Sequence, residues 1–340
     1  MIRAIEISST PSRRKRQTVQ LDNQTPWHAM LQIAELAEEP RAAALISKAT
    51  YDIATDGSLV PSGDPLPISP DPLETPFGTF HGELFFKKAG ADVCVLGTVR
   101  RRSPVRELVL KLRVADLVNQ LVVCGDRVWL PTGDRRRPLA PSRAQPFTEM
   151  PLGYDRAFGG VADYEGYPAP WPDNPVGRGY YLTAEQAREH PLPNIEPADG
   201  VRVGSWEDHP RVCGWGPYSM TGALRASTAV TVDPEKMHVT NVDPSLFNNA
   251  HPDLVVPELT PGDMIDIEGM GDDPVRVMIP KMLLRLQVSA GAHTSEAMSR
   301  IDGVFLWLDA RKVVITQRAN FSYVFQPREL RRVTATAVEA

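Results

Sequence analysis

The sequence has no run of about 18 consecutive apolar residues, so no membrane-spanning helix is predicted from its 340 residues. Its first residues read MIRAIEISSTPSRRKRQTV and contain neither an apolar core nor a small-residue cleavage site, so no secretory signal is predicted. Cysteine is also rare. The three cysteines, Cys94, Cys124 and Cys213, are odd in number and widely spaced, which does not suit a disulfide framework. We therefore expect a cytoplasmic protein.

The chain has no excess of positive charge, since 37 Lys and Arg residues are outnumbered by 42 Asp and Glu residues, for a formal net charge of -5. It therefore has no global field that would attract nucleic acid. The features that suggest phosphate contacts are three basic runs, at residues 13–16, 100–102 and 135–137. The last two fall at expected strand ends or turns, where solvated surface charge is the commoner role. We expect neither nucleic acid nor a membrane as a partner.

Short-range signatures of metal, phosphate and nucleophile sites are missing. The seven histidines and three cysteines form no HxH, HExxH or CxxC pattern, so neither a metal nor another cofactor is predicted. The glycine-rich stretch YDRAFGG lacks the lysine and the following helix of a phosphate-binding loop. No G-x-S-x-G elbow occurs, and no catalytic residue is predicted. One alternative stays open, a hydrolase-like enzyme using Asp155, His209 and Cys213, because all three fall in one polar loop-rich region.

The sequence does contain a long series of strand-like runs separated by turns. Its 32 prolines and 24 glycines are spread along the chain and favour many turns over long helices. We therefore predict a mainly β fold of antiparallel, sandwich-like sheets, with a long irregular insertion rich in glycine, proline and aromatics and few short helices. The predicted strands lie within residues 42–53, 79–88, 91–100, 106–114, 119–131, 225–232, 264–269, 275–280, 283–289 and 303–325, the last range being a hairpin around the turn LDAR.

Two short helices are predicted. The first begins at Pro26 and ends before Pro40, and the second spans residues 183–190, TAEQAREH, where Thr183 and Gln186 form a capping box. In the first helix the apolar residues fit one face; they are Trp27, Met30, Leu31, Ala34 and Ala37.

The pattern divides the chain into five parts. These are a leader that is loose or an edge strand at residues 1–25, an N-terminal β region at 26–137, a loop-rich region at 138–223, a C-terminal β region at 224–326 and a tail at 327–340. We expect residues 26–326 to form one domain. The loop-rich region has little periodicity but many aromatic residues, and disordered segments are poor in aromatics, so we predict ordered loops pinned by their side chains.

Several phrases of the sequence occur in a specific order. The loop-rich region and the strands that follow contain FTEMPLGYDRAFGG, NPVGRGYY, LPNIEPAD, GWGPYS and LFNNAHPDL, and the front half contains SKATYDIATDGSL, ADVCVLGTVR and VVCGDRVW. This series, from Gln24 to Phe325, resembles a bacterial domain-of-unknown-function family encoded beside the spike proteins of type VI secretion systems.

The resemblance implies a cytoplasmic adaptor or chaperone whose partners are a toxic effector and the VgrG spike or its PAAR tip. It assigns no catalytic residue. The stretch MPLGYDRAFGG is then predicted to be a pinned loop, with glycines at positions that need φ > 0 and Arg156 bound to a carboxylate or to backbone carbonyls. The residues predicted to bind a partner or to shape the loops are Pro151, Tyr154, Asp155, Arg156, Phe158, Gly159, Gly160, Asn174, Pro175, Gly177, Asn194, Gly214, Trp215, Gly216, Phe247 and Asn248.

Overall fold

The computed structural model describes residues 19–33, 40–218, 230–233, 238–324 and 331–340. Most of these residues lie in strands, which confirms the predicted mainly β class. The helical segments are α1 (Ala184–Ala187) and three 3-10 turns, Tyr154–Arg156, Pro244–Phe247 and Pro252–Leu254. In chain order the strands are β1 (Gln20–Asn23), β2 (His28–Ile33), β3 (Arg41–Ile53), β4 (Leu59–Pro61), β5 (Leu73–Thr75), β6 (Gly78–Phe80), β7 (Ala91–Leu96), β8 (Thr98–Val105), β9 (Glu107–Val114), β10 (Leu117–Cys124), β11 (Trp129–Pro131), β12 (Leu139–Pro141), β13 (Phe147–Pro151), β14 (Phe158–Gly159), β15 (Val161–Tyr164), β16 (Tyr167–Pro170), β17 (Arg178–Gly179), β18 (Ile195–Pro197), β19 (Val230–Asp233), β20 (His238–Val242), β21 (Val255–Val256), β22 (Met264–Glu268), β23 (Val275–Met278), β24 (Met282–Ala290), β25 (His293–Met298), β26 (Arg300–Trp307), β27 (Lys312–Tyr323) and β28 (Arg331–Glu339).

A seven-stranded sheet forms the centre of the molecule, in the order β2-β3-β27-β26-β7-β21 with β4 paired to β3. Its longest pair, β3 and β27, is antiparallel and stays in register from Arg41↔Tyr323 to Asp52↔Lys312. β3 is buried at every position from Ala43 to Tyr51. Since successive side chains of a strand point to opposite faces, a strand buried throughout is covered on both faces.

Further sheets cover this central sheet. Leu45 and Ala319 of the seven-stranded sheet share a buried cluster with Leu284, Leu286 and Val333 of a four-stranded sheet, in the order β1-β28-β24-β25. A five-stranded sheet, in the order β18-β10-β9-β22-β23, shares the largest buried cluster with the central strands. These packed, mostly antiparallel sheets agree with the predicted fold class, although β7 pairs with β26, and β1 with β28, in parallel.

The helix predicted from Pro26 is wrong, because His28–Ile33 is β2 and pairs antiparallel with β3. Short apolar spacings of this kind fit a strand as well as a helix, and pairing with the long neighbouring strand decides between them. Residues 34–39, which include the predicted helical positions Ala34 and Ala37, lie outside the described residues.

Both ends of the described chain belong to the four-stranded sheet. Residues 20–23 of the predicted leader form its edge strand β1. The prediction of a tail is wrong for residues 331–339, which form β28 between β1 and β24. These residues alternate into the sheet's buried cluster, which fixes them in place. Residues 1–18, with the basic run 13–16, and residues 325–330 lie outside the described residues.

The strand predicted at residues 79–88 is wrong beyond Phe80, where β6 ends. The segment that follows crosses the sheet, and ion pairs from Glu83 to Lys48 and from Lys88 to Asp92 hold it there instead of a strand ladder. Of the predicted strand at 225–232, residues 225–229 lie outside the described residues and the rest falls in β19. The other predicted ranges all contain strands, and the LDAR turn joins β26 to β27 as predicted.

The second predicted helix is confirmed as the short α1. The Thr183 hydroxyl accepts the Gln186 backbone N–H at 3.2 Å, and the Gln186 side-chain oxygen accepts the Leu182 N–H at 3.1 Å, a variant of the expected capping box. Among the described residues, no helix is long and apolar enough to span a membrane.

Candidate functional site

Asn174 connects the two main motifs of the loop-rich region. Its side-chain Nδ2 donates to Tyr154 O at 2.8 Å and to Phe158 O at 2.9 Å, and its own carbonyl accepts the Gly160 N–H at 2.8 Å. The residue is 1% exposed, so water does not compete for these bonds. The asparagine of NPVGRGYY therefore fixes the start of the 3-10 turn in YDRAFGG and the strand β14 that follows it.

The glycines beside Asn174 are required by backbone conformation and by close contact. Gly159 and Gly160 have φ of 144° and 110°, as predicted for this loop. A Cβ on Gly159 would lie 2.1 Å from Asn174 O, and a Cβ on Gly177 would lie 2.4 Å from Asn174 Nδ2. The half-buried Pro175 lies between these contacts along the chain.

The prediction for Arg156 is wrong, because its Nη1 donates to the side-chain oxygen of Asn194 at 3.3 Å. Arg178 has the role that was predicted for Arg156. Arg178 Nε donates to Asp155 O at 2.8 Å, Nη2 lies 3.6 Å from the Asp155 carboxylate, and Nη1 donates to the same Asn194 oxygen at 3.2 Å. Burial and the neighbouring charge of Arg156 lower the pKa of Arg178. Sequence reasoning missed Arg178, although it stands inside NPVGRGYY.

Asn194 joins this loop to the five-stranded sheet. Its oxygen accepts from both arginines, while its Nδ2 donates to Cys124 O at 3.1 Å and to Asp126 Oδ1 at 2.9 Å. Its backbone N–H donates to Arg156 O, and its carbonyl accepts the Cys124 N–H. The fully buried side-chain amide of Asn194 thus connects both motifs, YDRAFGG and NPVGRGYY, to β10.

Trp215 and Tyr154 are buried, and their polar atoms bond within the protein. The Tyr154 hydroxyl donates to Gly214 O at 3.1 Å, and Trp215 Nε1 donates to Asn119 Oδ1 at 2.9 Å. A Cβ on Gly214 would lie 2.9 Å from the Tyr154 ring, and a Cβ on Gly216 would lie 3.0 Å from Phe77 O. Like Pro151 in β13, these residues shape the loops and offer a partner little surface.

Phe247 and Asn248 belong to a second location, beside the start of β7. Asn248 Nδ2 donates to Asp92 Oδ1 at 2.8 Å, and the backbone N–H of Asn249 donates to Asp92 Oδ2 at 2.9 Å. Phe247 stacks on Phe85, with ring centroids 5.1 Å apart. The predicted residues therefore divide between the loop-rich region and this buried carboxylate.

Buried ion pairs continue from that carboxylate across the seven-stranded sheet. Lys88 Nζ lies 2.8 Å from Asp92, and Arg318 Nε lies 2.7 Å from Asp302. Thr316 donates a further hydrogen bond to Asp302 at 2.6 Å. Burial opposes the charge on Lys88, yet Asp92 and Asp302 raise its pKa above the usual value. Burial likewise opposes ionisation of Asp302, but the charges of Lys88 and Arg318 lower its pKa, so Lys88 and Asp302 both favour their charged forms.

The main exposed aromatic feature of the loop-rich region is the hairpin of β15 and β16. Tyr164 and Tyr167 are 60% and 73% exposed and lie directly opposite each other. Between them Glu165 and Gly166 have φ of 52° and 86°, as a tight type I′ turn requires. Sequence reasoning did not include these tyrosines among the site residues, although YEGY between polar residues is a hairpin signal. We call Val161–Pro170 the tyrosine hairpin.

The three residues of the hydrolase-like alternative each make contacts with other residues. Cys213 is buried, and burial raises its pKa to about 12, so its thiol stays protonated. Asp155 contacts Arg178, and His209 packs against aromatic rings, with its centroid 5.0 Å from that of Trp171. Within the described part of the chain, no hydrogen bond or ion pair joins any two of the three. Nor do His, Cys, Asp and Glu residues there group in threes that could hold a metal.

Comparison with known proteins identifies the family. Residues 38–318 match the model of an uncharacterized protein conserved in bacteria (DUF2169), and the chain belongs to that family. No curated protein and no protein of solved structure shows significant similarity to the chain. The predicted membership of a bacterial family of unknown function is therefore confirmed.

Proposed function

We propose that this DUF2169 member is an adaptor or chaperone that binds a toxic effector in the bacterial cytoplasm and helps load it onto the VgrG spike or PAAR tip of a type VI secretion system. The observation that supports protein binding is the exposed tyrosine pair on the tyrosine hairpin. The motif series, which resembles a family encoded beside spike genes, supports the secretion role.

Tyrosines are well suited to a binding surface because they combine a large apolar ring with a polar hydroxyl and few rotatable bonds. Pro168 and Pro170 lack backbone N–H groups, so the β16 edge cannot extend its ladder with another strand, and side chains carry the proposed contact on that edge. The exposed carboxylates of Asp163 and Glu165 beside the rings favour a partner with arginine or lysine at the contact.

The base of the hairpin is fixed, which lowers the entropy lost on binding. The Trp171 N–H donates to Gly160 O at 2.8 Å, and the Gln186 side chain donates to Asp163 O at 2.6 Å. Two tyrosines bury roughly 300–500 Å² at most, against about 800 Å² for one side of a standard interface. The exposed Val161 and Val176 at the hairpin base extend the proposed surface.

The test is affinity purification of the tagged chain from its own bacterium under conditions that express the secretion genes, with mass spectrometry of the bound proteins. We expect a toxin or spike protein in near-equal amount, and its loss in Tyr164→Ala/Tyr167→Ala. The matched control is Val109→Ala/Val118→Ala, which removes side chains of 53% and 57% exposure from the five-stranded sheet. That variant should retain the partner.

Two results would oppose the proposal. If the neighbouring toxin were equally soluble and equally secreted without this chain, the adaptor role would be refuted. If the toxin bound equally well to both double variants, the adaptor role would stand and the tyrosine hairpin would not be its surface.

A further inference from the structure

A cavity lies between the seven-stranded sheet and residues 66–88, which cross it. Its volume is about 690 Å³ when the open solvent at its mouth is included, and about 50 Å³ of this space is open to the centres of water-sized molecules. Most of its wall is apolar, and the side chains that form this part include Ile46, Leu66, Leu73, Phe80, Leu96 and Phe305.

One end of the cavity is cationic. Lys48, Lys88 and Arg318 line it, together with the single carboxylate of Glu83. Glu83 pairs with Lys48 at 2.9 Å. The carboxylates that pair with Lys88 and Arg318 are not part of the wall, so these two cations stand between the cavity and their counter-ions. The wall therefore presents more positive than negative charge to a bound molecule.

Each of the three cations has at least one N–H donor that its hydrogen bonds within the protein do not use. Lys48 donates to Pro67 O and Glu83, and Lys88 donates to Asp92 and Asp302 O, which leaves each ammonium with one further donor.

Arg318 is fixed more firmly. It donates to Asp302, Phe85 O and Glu83 O, and two of its five N–H groups remain. Its guanidinium lies 3.9 Å from the Phe85 ring centroid. The donors are thus held in place before any ligand arrives, which is the arrangement that binds an anion with little reorganisation.

We propose that this cavity binds a small molecule with an apolar body and one carboxylate head group. The apolar wall takes the body, and the spare donors of Lys48, Lys88 and Arg318 take the carboxylate. Glu83 opposes a second negative charge, which favours a monocarboxylate over a dianion. The inference concerns a face of the sheet remote in sequence from the tyrosine hairpin and does not depend on the adaptor role.

The first test measures, by calorimetry, how tightly the full-length protein binds three probes that share one alkyl chain and differ in head group. Each probe is used below its micelle concentration. The probes are decanoate, decanol and decyltrimethylammonium. We expect saturable one-to-one binding of decanoate, at least about tenfold tighter than decanol, because its head group gains charge-assisted hydrogen bonds. Decyltrimethylammonium should bind most weakly. Equal affinity for decanoate and decanol would overturn the proposal.

The second test removes charge at the cavity without leaving a lone buried ion. Lys48→Met/Glu83→Gln should weaken decanoate binding by about tenfold, with decanol unchanged. The control is Lys312→Met on β27, since Lys312 pairs with Asp52 at 3.2 Å and does not line the cavity. Unchanged decanoate affinity in the double variant would overturn the assignment. If the double variant failed to fold, the ratio of decanoate to decanol affinity in the natural chain would decide.

A third comparison separates the source of the carboxylate. A short apolar peptide with a free C-terminus is compared with its C-terminal amide and with decanoate. We expect decanoate to bind more tightly than either peptide. Tighter binding of the free-acid peptide would overturn the small-molecule assignment in favour of a polypeptide C-terminus.

Discussion

Replacing Asn174 with alanine tests whether one amide holds the loop-rich region together. The substitution removes the donors at 2.8 and 2.9 Å from the buried carbonyls of Tyr154 and Phe158. An unsatisfied buried polar group costs about 1–3 kcal/mol. Tyr154 O keeps a second hydrogen bond, from the Ala157 N–H at 3.2 Å, so its loss is partial. We therefore expect the free energy of unfolding to fall by about 2–3 kcal/mol.

The assay is urea unfolding, monitored by tryptophan fluorescence. Asn174→Asp is the informative second variant, because it preserves the size of the side chain but replaces the donor with a carboxylate that faces two carbonyls, and it should lose more than alanine. The control is Asn23→Ala, since Asn23 makes a bond of the same length, 2.8 Å to Trp27 O, at the exposed surface. The reasoning would be refuted if Asn174→Ala lost no more stability than Asn23→Ala.

Three further predictions concern stability and reactivity. Gly159→Ala should lower the free energy of unfolding by about 2–4 kcal/mol, because the site combines φ of 144° with a contact of 2.1 Å between the added Cβ and Asn174 O. Gly133→Ala, with φ of 81° and open space around the Cβ, should lower it by only about 1 kcal/mol. Equal losses in urea titrations would contradict this. The Cys213 thiol, with a pKa near 12, should resist a thiol reagent at about pH 8 until urea unfolds the chain, and rapid native labelling would contradict its burial. Folding lowers the pKa of Asp302, so its ionisation stabilises the protein at pH values above its unfolded pKa of about 3.9, and this stabilisation is lost as pH falls through the folded pKa. Asp302→Asn should therefore be less stable at neutral pH and should lose less stability on acidification. An unchanged dependence of stability on acid pH would refute this.

The sequence predicts the strands well where apolar residues alternate between turns and poorly where pairing decides. The apolar spacing after Pro26 fits a helix and a strand equally, and only the neighbouring β3 resolves it. Residues 331–339 give a similarly weak signal, because their partners β1 and β24 are distant in the chain. Local turn chemistry is more reliable, as the LDAR hairpin and the cap of α1 show.

The candidate sites follow the same rule. The positive φ of Gly159 is predictable because it depends on the residue's own neighbours, but the role of Arg178 depends on a carbonyl 23 residues away. The cationic end of the cavity combines Lys48, Lys88 and Arg318, which lie on separate segments of the sequence. The available signal was a lysine or arginine within or beside each of three apolar stretches, and recognising it required knowledge of which strands pair.

The parallel pairing of β1 with β28 also governs the order in which the chain can fold during synthesis. β1 leaves the ribosome first among the described strands, yet its partner is made roughly 300 residues later, and β24 likewise pairs with β28 only after β25, β26 and β27 have been made. Until then the edge of β24 that pairs with β28 has no partner strand, although β25 pairs with its other edge. This sheet can therefore close only once β28 has been made, and the nascent chain exposes an unpaired strand edge until then.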